Sequence, residues 1–139
     1  MSALNEILEA VITLMNATTP FATVTRGALP TGVGLSCEYG PSTPETVYMD
    51  KRSYIPLDVT VNGKHHNLKT LSDSMNLIHS ALTGAVSYPA SKSGTWHIVD
   101  IETYTEPQVI GREENNEWLM ASSLSVRVYL RGETTNAES

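Results

Sequence analysis

The sequence predicts an α+β domain, an antiparallel sheet with two amphipathic helices packed on one face, and three stretches carry that reading. Between Tyr54 and Leu82, the residues Ile55, Leu57, Val59 and Val61 alternate with Tyr54, Pro56, Asp58 and Thr60, as a half-buried strand requires. Leu68, Leu71, Met75, Ile78 and Leu82 then recur at helical spacing. From Trp118 to Leu130 the alternation is the most regular in the chain: Trp118, Met120, Leu124, Val126, Val128 and Leu130 share one side, and only Ser122 interrupts them. The third stretch is the start of the chain, where Leu4, Ile7, Leu8, Val11, Leu14 and Met15 form another helical stripe.

Taken in order, the first helix has Ser2 available as its cap and Glu6 in its first turn, where the helix dipole favours an acid. Thr18, Thr19 and Pro20 break it, and Phe21 to Thr25 has the composition of a strand, closed by Arg26 and Gly27. Val33, Leu35, Cys37 and Tyr39 define one face of a second strand, with Gly34, Ser36 and Glu38 on the other. Gly40 to Glu45 reads as a loop and Val47 to Lys51 as a brief pairing segment. Asn62 and Gly63 are expected to end the organising strand, and Gly84 to stop the second helix. Low apolar periodicity makes Gly40 to Ser53 and Ser87 to Gly94 expected mobile loops. Trp96 to Thr105 is a long strand; with Trp96 and Ile98 pointing one way and Val99 and Ile101 the other, it is expected to be covered on both faces and central, ending at Glu106-Pro107. Gly111 to Glu117 is a polar, acidic turn that makes a hairpin-like pair with the strand after it. Residues 1–131 then form a single domain, and 132–139 a disordered polar tail.

A chain of 139 residues, 40% hydrophobic and 17% charged, suits one core rather than two. Cys37 is the only cysteine, so it forms no intramolecular disulfide and reads as a small core residue. Glu6 and Glu9 spoil Met1 to Met15 as a secretory leader, and no apolar run is long enough to span a bilayer. The formal charge of −6, with nine basic residues scattered along the chain, argues against a tight grip on phosphates.

No constellation of chemical groups rises above the ordinary. His65, His66, His79 and His97 match no metal-ligand spacing, and His79 falls at the edge of the helical stripe, a surface-boundary position. Asp100 and Glu102 share a strand face, and Glu113, Glu114 and Glu117 cluster in a turn that is most simply solvated. Ser36 has no nucleophile-elbow glycines around it, and Gly32 with Gly34 lacks the setting of a nucleotide loop. Trp96 and Trp118 read as core anchors. The residues therefore propose no catalytic group, cofactor or metal.

Four features together resemble the minor capsid or tail terminator proteins of long-tailed bacteriophages that infect Gram-positive bacteria. They are the N-terminal amphipathic helix leading into a strand; YMDKRSYIPLDVTVNGKHHNLKTLSDSMNLIHSAL; WHIVDIETYTEPQVIGREENNEWLMASSLSVRVYL; and the short polar tail that follows. The resemblance implies a structural virion protein, made in the host cytoplasm, that forms a ring, often a hexamer, at the head-proximal end of the tail tube. Such a ring stops tube growth, contacts the tail tube protein and offers the surface that the head-side connector joins, while DNA passes through it without specific binding. Glu113, Glu114 and Glu117 are the candidate interface residues for that role. The alternatives are another head–tail connector or tube subunit, or a small-ligand-binding or enzymatic α+β domain.

Overall fold

The architecture grows from the strand that carries the clearest alternation. In a computed structural model, which describes residues 3–29, 32–40, 53–85, 87–92, 94–113 and 116–130, this strand is β3 (Ser53–His65). It is flanked in chain order by α1 (Ala3–Asn16), β1 (Val24–Arg26) and β2 (Gly34–Tyr39) before it, and by α2 (Leu68–Thr83), β4 (Trp96–Arg112) and β5 (Trp118–Leu130) after it. The five strands form one sheet in the order β1-β2-β3-β5-β4, antiparallel except for the β1–β2 pair. The class is the α+β class that the sequence predicts. Ser2, the segment 41–52, Glu114 and the tail from 132 lie outside the described residues. The expected helix cap, the expected loop and pairing segment before Ser53, and the expected disordered tail fall there.

One sheet face makes the core. Leu35 and Cys37 of β2, Leu57, Val59 and Val61 of β3, and Met120, Leu124, Val126, Val128 and Leu130 of β5 all point the same way and are buried. Ile7, Leu8, Val11 and Met15 of α1 and Leu71, Met75, Ile78 and Leu82 of α2 cover them. Asn67 caps α2, its side chain accepting the Thr70 N–H at 3.0 Å, and the Gly84 N–H closes the other end on the Ser80 carbonyl at 3.1 Å. Trp96 ties α1 to the far strand, its indole N–H donating to Glu6 Oε1 at 2.9 Å. The Tyr39 hydroxyl does the same from β2, donating to the Leu4 carbonyl at 2.6 Å.

The structure corrects several expected boundaries. Asn62 and Gly63 do not end β3, which runs on to His65 with Gly63 paired to Leu35 on one side and Met120 on the other. A Cβ at Gly63 would lie 2.5 Å from Leu71 Cδ1, so the glycine is there to let α2 approach the sheet. The first strand is shorter and later than Phe21 to Thr25. Asn16 captures Val24 through both its amide atoms, accepting the Val24 N–H at 2.7 Å and donating to the Val24 carbonyl at 3.2 Å, so pairing starts only there.

β4 is an edge strand rather than a central one. Its apparent two-faced pattern comes from a bulge: the register to β5 shifts between Ile98 and Asp100, so Trp96, Ile98 and Ile101 all turn inward. A further shift between Thr105 and Gln108 takes in Glu106 and Pro107, which therefore kink the strand without ending it. The segment before β4 is hydrogen-bonded: Ala90 bridges His97, the Ser91 N–H donates to the Trp96 carbonyl at 2.9 Å, and Ser91 Oγ accepts from Thr95 N–H at 2.8 Å.

Candidate functional site

Three features lie outside the ordinary core: the acidic turn, the buried polar contacts, and the second half of β4.

The acidic turn is built by the β4–β5 hairpin. The Glu113 N–H donates to the Glu117 carbonyl at 2.8 Å, and the Asn116 N–H to the Glu113 carbonyl at 2.9 Å, with Asn116 in the left-handed region at φ 67°. Of the candidate residues, Glu113 and Glu117 come together on Lys64 at 3.8 and 3.9 Å, while Glu114 lies outside the described residues. Glu117 is only 2% exposed and also meets His66 at 3.5 Å. Glu117 is thus not solvated as expected. It pins the turn to the end of β3, and Glu113 is the described acid of the turn that faces solvent.

His79 is the other correction. It is 5% exposed rather than at a surface boundary, with Nδ1 2.9 Å from Thr103 Oγ1 on β4 and Nε2 2.7 Å from Ser122 Oγ on β5. This explains Ser122, the one polar residue on the apolar side of β5. A serine hydroxyl on a histidine nitrogen is also the geometry of an activated nucleophile. Here the third partner is a neutral hydroxyl instead of a carboxylate, burial pushes the imidazole below its ordinary range, and Ser122 is 3% exposed beneath α2. The contact fits packing better than catalysis.

The remaining histidines are dispersed. His65 Nδ1 accepts the Asn67 N–H at 2.8 Å and its ring meets Phe21 edge-on, and His97 lies against Tyr129 on the uncovered sheet face. Among the described residues no three of His, Cys, Asp and Glu gather as a metal-binding group. Burial pushes the Cys37 thiol up to about 12, which keeps it protonated and unreactive. A hollow of about 190 Å³ opens on the uncovered face between Pro56, Leu57, Asp58, Tyr104 and Ser125. That is below the roughly 300 Å³ at which small-molecule sites begin.

The second half of β4 stands apart. Past Ile101 no side chain of β4 is buried, and Tyr104, Val109 and Ile110 are 76%, 46% and 61% exposed. They are three of the six large hydrophobic residues exposed among the described residues. The sequence carried the signal as apolar residues without a period after Thr105, but edge placement could not be read from it.

Among the described residues, no helix is long and apolar enough to cross a membrane. A scan against protein-family models and a search of curated proteins each returned no match, so the site stands on its own geometry.

Proposed function

We propose that this protein is a structural subunit of a phage virion, a tail terminator that assembles into a ring at the head-proximal end of the tail tube. The observation that carries the reading is the exposure of three large apolar residues, Tyr104, Val109 and Ile110, on the second half of edge strand β4. The resemblance of the segments at 48–82 and 96–130 supplies the identity of the assembly. Side chains rather than backbone make the contact: Pro107, Glu106 and the register shifts already blunt β4 as a pairing edge, and Ala90 covers its start. The charge of −6 suits a lumen that DNA traverses without being held. Turnover has no place in this function.

Native mass measurement with negative-stain imaging tests it, since a terminator gives closed rings and limits the length of tubes grown from tail tube subunits. Monomers that leave tube length unchanged would refute the reading. Glu113→Lys with Glu114→Lys, added to the same assay, tests the turn as the tube-facing contact, because a loss repeated at each subunit of a ring is multiplied. Tubes as short as those with the natural protein would remove the turn from the interface.

A further inference from the structure

β4 is anchored by buried side chains along its first half, and along its second only by a broken ladder to β5 and by Arg112 over the Trp118 ring. Trp96, Ile98 and Ile101 are buried, no side chain from Glu102 to Arg112 is, and the ladder to β5 shifts after Thr103, Thr105 and Val109. Thr103 stands at the boundary, and its hydroxyl is joined to His79 of α2, whose other ring nitrogen meets Ser122 of β5. We propose that His79 is an acid-sensitive latch, which in its neutral form ties the second half of β4 to α2 and on protonation lets that half open locally.

The chemistry follows from the donor inventory. A neutral imidazole donates from one nitrogen and accepts at the other, so one of the two hydroxyls donates to it. The imidazolium donates from both, so the hydroxyl that had donated must turn its proton elsewhere, and a positive charge now sits at a ring only 5% exposed. Burial opposes the charge and lowers the pKa of His79, while the Glu106 carboxylate of β4 acts the other way. Few other charges face the ring. Lys69 and Asp73 of α2 pair with each other on its exposed side, and Asp100 of β4 pairs with Arg127 of β5 on the uncovered sheet face, which Glu102 of β4 and Asp58 and Lys64 of β3 share by register. Ser122 is what β5 presents to the ring.

Opening exposes the imidazole to water, where it protonates near its ordinary value of 6.5, whereas the closed state takes up the proton only at lower pH. Closure is at full strength above that value. As pH falls from there to the closed-state midpoint, protection of the segment drops by about tenfold per pH unit.

Amide exchange on the full chain, corrected for the intrinsic pH dependence of exchange, tests this. Protection from Thr103 to Arg112 is expected to fall between about pH 7 and about pH 5, while Val126 and Val128 keep theirs. His79→Gln retains a donor and an acceptor but binds no proton, and is expected to flatten the profile. Glu106→Gln, at an exposed position, removes the group that favours the imidazolium and is expected to carry the loss on to lower pH. Protection that does not change with pH overturns the proposal, as does a profile that survives in His79→Gln. Should that variant fail to fold, the Glu106→Gln profile decides, and one that coincides with the natural protein's overturns it.

Discussion

Gly63 sits where sheet and helix come closest, and a single methyl group there tests how tightly they fit. Its Cβ would meet Leu71 Cδ1 at 2.5 Å, Leu35 Cδ2 at 3.0 Å and Met75 Sδ at 3.1 Å, all three on fully buried residues. Gly63→Ala is therefore expected to destabilise the protein by about 1–3 kcal/mol, read from the urea midpoint, and an unshifted midpoint would mean that α2 yields freely. Cys37 offers a second measurement at this scale. Buried and with its pKa pushed up to about 12, it is expected to react with an alkylating reagent only as fast as the whole molecule unfolds; prompt labelling of the native protein would contradict its place in the core. Cys37 was legible in the sequence because a lone thiol on an alternating strand has few other places to go. Asn62 and Gly63 read in the sequence as the end of a strand, since Asn-Gly is a turn signal wherever tertiary packing does not override it. His79 was misplaced for a related reason: a stripe gives the centre of a helix's buried face, whereas its width depends on what lies beside it, here two hydroxyls from strands distant in sequence.

Among the elements, β1 depends on one side chain of another. Asn16 stands in for a pairing strand by taking both backbone groups of Val24, while β2 pairs with the three residues of β1 on the other side. Asn16→Ala leaves those groups without partners, with Val24 2% exposed, and is expected to cost about 1–3 kcal/mol. Amide exchange at Val24 and Arg26 is the specific readout, and protection equal to the natural protein's would assign the strand's stability to β2 alone. The helices and the inner faces of β3 and β5 were legible because burial on one side writes its period into the sequence. β1 and β4 were legible as strands but not in their bounds, nor β4 in its place, because a three-residue strand has no period and a bulge breaks one: at Val99 the inward side changes parity, and the alternation then describes a central strand rather than the edge strand found.

At the scale of the whole molecule, stability and assembly make separate demands on β4. Tyr104→Ser with Ile110→Ser removes apolar surface from positions 76% and 61% exposed, so stability, read from urea unfolding, is expected to change by less than about 0.5 kcal/mol. Rings, if these residues join subunits, are expected to be lost. Rings that persist would place the contact elsewhere. The sheet order has a consequence for how the molecule is made. β5 follows the other strands in the chain yet lies between β3 and β4, pairing along its length with both. During synthesis, β4 leaves the ribosome with no strand to join, and α2 covers a sheet whose middle is missing. A nascent chain is expected to stay open to proteases until Leu130 has emerged, and then to close in one step. Arrested chains ending at residue 117 check this. Resistance to proteolysis at that length would mean that the two halves of the sheet hold together without the strand that joins them.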